Sequence, residues 1–570
     1  MVDTISHDLI IIGSGLAGLR AAISAASTHD SLNIAVVSKV QVMRSHSVSA
    51  EGGTAAVIFE EEGDNQESHI YDTIKGSDFL ADQDVAELLV RSMPFEIYQL
   101  EHWGMPWSRR ENGRIDQRKF GGYSFPRATY AQDKVGFYMM QTLYDTCLKY
   151  DNIHFYNEWF CTSILSDAKD FRGVTAIEMK SGNFFKFKAP AGIICTGGAG
   201  RIYSFSTYAY SSTPDGLDMA YRAGLALKDM EFVQFHPTGI LPSGILITEG
   251  ARGEGGYLVN NQGERFMKKY APTKLELASR DVVSRAMMRE IQEGRGFKHE
   301  SGVDCLKIDL SHLGEDNIKK RLAGIREIGI KFSGIDVIEE PLEIRPVCHY
   351  MMGGIHTNIN GATEMKGLWA AGEAACNSLH GANRLGANST SECLVWGRIT
   401  GRLAAEYALD NSSVSSISQD QVIEEEKRIY DGLFRSRGQV NPYEIRKELT
   451  DTMDAKAHIF RNEKDLAEGL KKVRHLKQQS WKHVDDHAKE YNTNFINVME
   501  IDSMIRIAEI VLAGAFNRCE SRGAHARTDY PNRDDINFLK HTLGYLTTQE
   551  PKMSWHPVTF TRYAPMERKY

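Results

Sequence analysis

The residues with the clearest chemical potential lie in one short stretch, 380–389 (His-Gly-Ala-Asn-Arg-Leu-Gly-Ala-Asn-Ser), which follows Gly-Leu-Trp-Ala-Ala-Gly-Glu at 367–373. Its small residues leave the backbone accessible, so a planar ring and a pyrophosphate can approach it closely. The guanidinium of Arg384 can bind a carboxylate through two parallel hydrogen bonds. This stretch therefore predicts a site that binds a large cofactor next to an anionic ligand.

A second motif of small residues lies near the N-terminus. Residues 7–12 predict a buried strand, Gly-Ser-Gly-Leu-Ala-Gly follows at 13–18, and residues 19–26 predict an alanine-rich helix. A strand, Gly-x-Gly-x-x-Gly and a helix together form the dinucleotide-binding fingerprint, in which a pyrophosphate meets the helix N-terminus. The alternative is an ordinary tight turn, but the flanking elements favour the fingerprint.

The next predicted strand, 32–37, ends in Ser38 and Lys39. The fingerprint expects an acidic residue near this point, which would bind a ribose. Its absence argues against a plain NAD site, although a hydroxyl could bind the ribose instead.

Length and composition exclude several classes of protein. The chain has 570 residues, too many for one hydrophobic core, which predicts roughly two to four domains. With 42% hydrophobic and 25% charged residues it has the composition of a globular protein, and its net charge of -8 argues against a general nucleic-acid binder. No apolar run is long enough for a membrane span. We expect no targeting segment, because the fingerprint begins almost at once.

The eight cysteines are scattered along the chain with no close pair. This pattern fits reduced thiols in a cytosol-like compartment. It also excludes a local iron–sulfur cluster or structural zinc site of the usual spacing, so we predict no metal site. Onward electron transfer through metal clusters would then use another chain.

Residues 45–53 (Ser-His-Ser-Val-Ser-Ala-Glu-Gly-Gly) resemble the peptide that carries covalent FAD in the flavoprotein subunits of succinate dehydrogenase and fumarate reductase. For a lone histidine such as His46, a loop hydrogen bond would be the simpler interpretation. Further motifs match this family in order and together cover nearly the whole chain. They are Gln-Phe-His-Pro-Thr-Gly (234–239), Thr-Glu-Gly-Ala-Arg-Gly-Glu-Gly-Gly (248–256), Leu-Ala-Ser-Arg-Asp (277–281), His-Tyr-Met-Met-Gly-Gly (349–354), the stretch 380–389 and Glu-Ser-Arg-Gly-Ala-His-Ala-Arg (520–527).

The resemblance implies an α/β fold, with a Rossmann-like FAD-binding domain, an inserted α+β capping domain, a helical domain and a small C-terminal domain. We expect the FAD-binding domain at 1–234 and 351–408, the capping domain at 235–350, the helical domain at 421–515 and the C-terminal domain at 516–570. The polar residues 410–420 predict a linker. Spacing of apolar residues predicts surface helices at 424–430 and 463–479, and an irregular tail follows the helical region.

The resemblance also implies an FAD cofactor, attached covalently through His46 to the flavin 8-methyl group. From the residues alone, Asp215 in Thr-Pro-Asp-Gly could equally be a turn aspartate. The other residues that we expect at the cofactor are Gly13, Gly15, Gly18, Ser38, Lys39, Gly52, Gly53, Gly197, Gly198, Glu373, Ser389 and Thr390.

The family interconverts succinate and fumarate, which are dianions that differ by two hydrogens. Holding a dianion calls for cations and hydroxyls from two sides. We expect Arg384 and His349 on one side of this substrate, and His236 with Thr248 on the other.

By resemblance, Arg280 carries the proton of the reaction, with Glu249 and Arg252 as its relay. The residues alone do not suggest an arginine, because a free guanidinium stays protonated at ordinary pH. A carboxylate between two guanidiniums can nevertheless pass a proton without leaving a bare charge. The simpler alternative is that Arg280 and Asp281 form a local ion pair at a helix start.

Residue 51 bears on the direction of the reaction. Family fumarate reductases tend to carry an acid at the position of Glu51, and many succinate dehydrogenases a glutamine. A carboxylate here should lower the flavin potential, because it repels the reduced, anionic flavin. The motifs at 248–257 and 277–285 look more like the dehydrogenase branch, so we expect succinate oxidation, with fumarate reduction as the alternative. An L-aspartate oxidase, which lacks the covalent histidine, and a non-catalytic flavin relay subunit are less favoured.

The predicted partners follow from the absence of a second redox site in the sequence. The flavin must pass on two electrons, so the resemblance implies an iron–sulfur subunit docked against this chain. Through that subunit it implies a membrane anchor that exchanges electrons with quinone. We expect a peripheral membrane protein on the cytoplasmic side of a prokaryotic inner membrane, with no nucleic-acid partner.

Overall fold

The computed structural model describes residues 2–411, 417–479 and 481–569. At its centre is a five-stranded parallel sheet with the strand order Leu368–Ala370, Ala191–Ile194, Leu9–Ile12, Ile34–Ser38 and Ile153–Asn157. The inner three strands are buried along their whole length. Burial on both faces explains why the sequence shows them as short continuous apolar runs.

Two helices, Leu16–Thr28 and Asn388–Asp410, pack against each other beside this sheet. Gly401 permits the close approach, because a Cβ at this position would lie 2.3 Å from the carbonyl oxygen of Ala21. The predicted α/β class, with a Rossmann-like strand–turn–helix at the N-terminus, is confirmed. The first helix begins at Leu16 and is longer at both ends than the predicted 19–26.

Smaller elements surround the central sheet. A four-stranded sheet has the order Asp3–Ser6, Asn183–Lys188, Asp170–Glu178 and Trp159–Asp167, and three short strands pair as Thr54–Ala55, Ala128–Thr129 and Gln117–Arg118. The helices of this part are Gln66–Gly76, Gln83–His102, Val135–Cys147 and Asp215–Arg222.

The segment predicted as a capping domain contains its own antiparallel sheet. The strand order is Val233–Ile240, Leu342–Met351, Asp304–Asp309 and Tyr257–Val259, with Phe297–Lys298 paired to the third strand. The strands Val233–Ile240 and Leu342–Met351 lie at the two ends of the predicted range and pair with each other. The segment therefore leaves the FAD-binding part and returns to it at neighbouring points. The helices are Glu249–Gly253, Met267–Tyr270, Arg280–Gln292, Glu315–Arg321 and Ala323–Ser333.

The following region is helical, as predicted. Its helices are Gln419–Ile429, Pro442–Lys456, Glu463–Gln478 and Thr493–Asn517, and a π-helical turn, Tyr430–Phe434, extends the first of them. The helix Glu463–Gln478 buries Leu466, Leu470 and Val473 on one face, which matches the apolar spacing in the sequence. Residues 412–416 of the predicted linker lie outside the described residues.

The prediction of an irregular tail is wrong. Lys540–Tyr545 and Lys552–Pro557 form a hairpin that joins a sheet with Leu227–Lys228, Gly354–His356 and Ala375–Cys376. The first hairpin strand buries polar residues, His541 and Thr542, which bind Asp229. Because two of its buried residues are polar, this strand has a weaker apolar signal than the prediction required.

The described residues bear on two features of the sequence, membrane-spanning helices and metal sites. Within them no helix combines the length and the apolar character needed to cross a bilayer. The same residues contain no group of three or more histidine, cysteine, aspartate or glutamate side chains placed to hold a metal ion.

Candidate active site

A cleft lined by glycines runs along the carboxyl ends of the central strands, and we call it the glycine cleft. Ligands of open α/β sheets bind at this edge, because the strand–helix turns meet there. The predicted cofactor residues that line it are Gly13, Gly15, Ser38, Lys39, His46, Gly197, Gly198, Asp215 and Glu373.

Two glycines of the fingerprint have different tasks. Gly13 has a φ of +107°, and a Cβ there would lie 2.3 Å from the carbonyl oxygen of Cys195. Gly18 does not line the glycine cleft, and a Cβ there would lie 2.0 Å from the carbonyl oxygen of Gly13. Gly18 therefore lets the first helix pack closely on the end of the strand Leu9–Ile12, and its contribution to the cleft is indirect.

Buried polar groups in the glycine cleft fit a dinucleotide. Lys39 donates hydrogen bonds to Asp215 and, over 3.0 Å, to Glu500. Burial opposes the charge of Lys39, but the two carboxylates outweigh it and raise its pKa. Oγ1 of Thr196 and Oδ1 of Asp215 are buried without a partner among the residues that the structure describes. Unsatisfied buried atoms of this kind suit the hydroxyl and phosphate groups of FAD.

His46 lies in a short 3₁₀ turn, His46–Ser49, next to the glycine cleft. Its ring stacks on Tyr208 with a centroid distance of 5.0 Å, and its Nδ1 accepts a hydrogen bond of 3.3 Å from the amide of Ala209. Burial, with a smaller effect of Arg201, lowers the pKa of His46 to about 4. The ring is therefore neutral at ordinary pH, and its Nε2 is not used by the Ala209 contact.

A second cleft, which we call the arginine cleft, meets the first at His46 and Glu373. Residues from the predicted capping segment and from the stretch 380–390 line it together. The predicted site residues along it are His236, Thr248, Glu249, Arg280, His349, Arg384, Gly52, Gly53, Ser389 and Thr390. Among the predicted catalytic residues, only Arg252 does not line it, because Arg252 lies behind Glu249.

Glu249 lies between two guanidiniums. Its Oε2 accepts a hydrogen bond of 2.7 Å from Nε of Arg280 and lies 3.9 Å from Nη2 of Arg252. Burial disfavours the charge of Glu249, yet Arg280 and Arg252 outweigh it and hold its pKa below the ordinary value. The alternative pairing of Arg280 with Asp281 is not what the structure contains. Asp281 instead binds Arg285 and Arg568, over 3.0 and 2.7 Å.

Two histidines face each other in the arginine cleft, with a ring-centroid distance of 4.9 Å between His236 and His349. Gln234 pairs with Tyr350 and Phe235 with Cys348, so His349 is an extra residue in its strand. Such a bulge redirects a side chain, here next to the site. Burial and the charge of Arg280 hold the pKa of both histidines well below the ordinary value, so both rings are neutral.

The guanidinium of Arg384 lies over the ring of Tyr350, 4.2 Å from its centroid. Its Nε is buried and finds no partner in the described part of the chain. Burial, together with the nearby charge of Arg280, lowers the pKa of Arg384 to about 10. The position of the Arg384 guanidinium is therefore fixed, and its Nε–H is available as a hydrogen-bond donor, as expected of a group that binds an anion.

Two residues of this region are not among the predicted site residues. Tyr208 stacks on His46 and donates a hydrogen bond to Glu373. Gln234 accepts a hydrogen bond of 3.1 Å from Nη1 of Arg280. Tyr208 lies outside all of the motifs, so no signal could have found it. Gln234 begins the motif at 234–239, whose predicted site residue is His236.

Comparisons with known proteins agree with this geometry. One family model, described as an FAD binding domain, matches residues 8–390, and another, described as the fumarate reductase flavoprotein C-terminus, matches 446–570. The fumarate reductase flavoprotein subunit of Mycobacterium tuberculosis is 44% identical to this chain, over 100% of both proteins. The chain belongs to the succinate dehydrogenase and fumarate reductase flavoprotein family. Its cofactor is FAD, and it is an FAD-dependent oxidoreductase, as predicted.

Relatives from both branches of the family resemble this flavoprotein. The succinate dehydrogenase flavoprotein subunit of Rickettsia bellii is 42% identical, over 97% of this chain and 95% of that protein. Among solved structures, a variant of the Escherichia coli quinol fumarate reductase FrdA chain has a TM-score of 0.96 at 39% identity, over 99% of both chains. Mycobacterium smegmatis Sdh1 in complex with UQ1 has a TM-score of 0.86 at 33% identity, over 99% of this chain and 96% of that chain.

Proposed function

We propose that this chain is the catalytic flavoprotein subunit of a succinate:quinone oxidoreductase and interconverts succinate and fumarate. The arginine cleft carries this proposal, because Arg280, Arg384 and two neutral histidines line one space beside the glycine cleft. Cations and neutral donors around one space suit a small dianion. When bound in the glycine cleft, FAD supplies the hydride transfer.

Four residues of the arginine cleft hold the two carboxylates of the substrate. Arg384 binds one of them, because its guanidinium is held over Tyr350 with its Nε unpaired. His349 assists it and is oriented by a contact of 2.9 Å between its Nδ1 and Oγ1 of Thr207. His236 and Thr248 bind the other carboxylate. The Nδ1 of His236 accepts a hydrogen bond from the amide of Thr238, so its unpaired Nε2 carries a proton to donate.

Arg280 moves the proton of the reaction. In fumarate reduction it gives a proton to the substrate carbon, and the ionised Glu249, which contacts Arg280 over 2.7 Å, restores Arg280 by passing on a proton that it takes from Arg252. Arg252 supplies the next proton to Glu249 from behind. In succinate oxidation the same protons move in the opposite sense. The relay never leaves a bare charge, because a carboxylate separates two guanidiniums.

The FAD assignments follow the lining of the two clefts. Gly13, Gly15, Ser38, Lys39, Gly197, Gly198, Asp215 and Glu373 serve the cofactor along the glycine cleft. Gly52, Gly53, Ser389 and Thr390 serve it where the arginine cleft begins. His46 forms the covalent bond through Nε2, because its Nδ1 is engaged with Ala209.

The two directions of the reaction each have an observation in their favour. The motifs at 248–257 and 277–285 favour succinate oxidation, which is our main proposal. Glu51 favours fumarate reduction when its carboxylate is ionised, and the similarity to relatives of the two names does not decide between the directions. The ratio of the two rates in the isolated complex decides between them, and far faster fumarate reduction would reverse our choice.

An iron–sulfur subunit and a membrane anchor that exchanges electrons with quinone complete the proposed enzyme. This chain then lies at the membrane through its partners, on the cytoplasmic side of a prokaryotic inner membrane. Support comes from the similar solved structures, one with menaquinol and one with UQ1. Co-purification of an iron–sulfur protein with the tagged chain tests this assembly.

One sample tests the reaction and the covalent bond together. We expect succinate, added without air, to bleach the flavin absorbance of the purified protein. After acid denaturation, flavin fluorescence should stay with the chain. Bleaching followed by release of the flavin would support the reaction but show that His46 is not bonded to the flavin. Bleaching by aspartate and not by succinate would make the protein an L-aspartate oxidase.

A further inference from the structure

Gln234 lies between the two arginines of the arginine cleft. We propose that Gln234 is a positioning residue, which sets the nitrogen that Arg280 presents to the substrate and fixes it relative to Arg384. This inference rests on the proposed function of Arg280 as the proton carrier. Gln234 itself is 1% exposed and does not line the cleft, so it acts through its neighbours.

The side-chain carbonyl of Gln234 holds one edge of Arg280. Nη1 of Arg280 donates to Oε1 of Gln234 over 3.1 Å, and Nε donates to Glu249 over 2.7 Å. The third nitrogen, Nη2, lies against Gly386, where a Cβ would come within 2.8 Å of it. With two nitrogens engaged, the guanidinium cannot rotate freely, and Nη2 is left as the group that can face the substrate.

The side-chain amide of Gln234 holds the stretch that carries Arg384. Its Nε2 donates to the backbone carbonyl of Arg384 over 2.7 Å and to Oδ1 of Asn383 over 3.0 Å. Both hydrogens of this nitrogen are thereby used. One buried side chain thus connects the helix that begins at Arg280 with the stretch 380–389.

Only an amide can make all of these contacts. Glutamate at position 234 would accept from Arg280 but lacks the donors for Asn383 and Arg384. Methionine has a similar length and lacks both functions, so Arg280 would keep Glu249 as its one remaining partner among those named here. Arg384 would still lie over Tyr350, and Asn383 would keep its 2.8 Å hydrogen bond to the carbonyl of Gly76. Removing the amide should therefore disturb proton transfer more than substrate binding.

The test compares Gln234→Met with the wild type in the holoenzyme complex. We expect kcat to fall at least about tenfold in both directions, because a mobile general acid loses much of its effect. Malonate, a dicarboxylate without the two-carbon unit that reacts in succinate, serves as the probe of substrate binding. Its dissociation constant, measured from the flavin absorbance, should change less than about threefold. The solvent deuterium isotope effect on kcat should rise, because proton transfer becomes more limiting. An unchanged kcat, or a loss of malonate binding as large as the loss of kcat, would overturn the inference.

Asn260→Leu is the matched control. Asn260 is a fully buried amide of the same segment and donates to Glu290 over 2.9 Å, away from the cleft. If lost stability alone explains Gln234→Met, Asn260→Leu should show the same isotope effect. If Gln234→Met does not fold, Gln234→Asn retracts the amide by one methylene and carries the same expectation. A wild-type complex that turns over neither succinate nor fumarate would instead overturn the proposed function.

Discussion

Oε2 of Glu249 lies 2.7 Å from Nε of Arg280, and both side chains are buried. A buried carboxylate and guanidinium in direct contact normally form a static ion pair. Here Arg252 approaches the same oxygen from the other side, at 3.9 Å. The carboxylate therefore has a second cation behind it, and a proton can pass along the row without isolating a charge.

Arg280→Lys tests the first member of this row. Lysine keeps the positive charge but cannot contact Glu249 and Gln234 with a planar fork. We expect kcat to fall by at least about 10²-fold, the typical contribution of a general acid. The malonate dissociation constant and the FAD content should stay near the wild-type values. Turnover that survives the substitution would remove Arg280 from the mechanism.

Glu249→Gln tests the second member. The variant keeps the shape of the side chain but removes the negative charge between Arg280 and Arg252. The pKa of Glu249 lies below its ordinary value, so the wild-type group is ionised throughout the neutral range. We therefore expect kcat to fall about 10²- to 10⁴-fold, by a factor that is constant between about pH 6 and 9. A loss that appears only at high pH would show that Glu249 is protonated in the working enzyme.

Sequence motifs indicate which residues meet in the cleft better than they indicate the contacts that position those residues. His236, Arg280 and Arg384 each lie in a motif of unusual residues, and the structure brings all three to one cleft. Tyr208 and the bulge at His349 were not found, because they depend on how distant strands pair. Asp281 binds Arg568, from the far end of the chain, in place of the local pairing with Arg280 that was the simpler alternative. Local spacing carries no information about such contacts.

His46→Ser tests the covalent bond separately from the reaction. Serine removes the nitrogen proposed to bond the flavin, whereas the glycine cleft keeps its other lining residues. We expect FAD to be retained without covalent attachment, so acid denaturation should release all of the flavin fluorescence from the chain. Tyr208→Leu is the control, because it removes the ring that stacks on His46 and leaves the nitrogen in place. Fluorescence that stays with the His46→Ser chain would place the bond on another residue.

Glu51→Gln tests the effect of residue 51 on the flavin potential. The expectation that Glu51 repels reduced flavin assumed an ionised carboxylate. Burial and the nearby Asp133 raise the pKa of Glu51 well above its ordinary value, against the opposing effect of Arg118. The wild-type group is thus neutral below this raised pKa and charged above it. We expect the potentials of Glu51→Gln and wild type to coincide at low pH and to diverge as the pH rises, with the wild type lower. Spectroelectrochemical titration at several pH values measures this, and a constant difference would show that Glu51 is already ionised.

His541→Gln tests an ionic contact that fastens the C-terminal hairpin to the rest of the fold. Nδ1 of His541 lies 2.6 Å from Asp229, Nε2 lies 3.4 Å from Asp82, and the ring is fully buried. Burial opposes the charged ring, and so does nearby Lys228. The two carboxylates outweigh these effects and raise the pKa of His541. A histidine with a raised pKa stabilises the folded state fully below its ordinary pKa, and this contribution is lost as the pH rises through the folded-state pKa.

We expect His541→Gln to lower the free energy of unfolding by about 3–5 kcal/mol near pH 6, because it leaves a buried aspartate without its partner. The difference from wild type should shrink toward pH 9, whereas the exposed control His29→Gln should change little at either pH. A difference that grows with pH, measured by denaturant unfolding of the holoenzyme, would show that His541 is neutral in the folded protein.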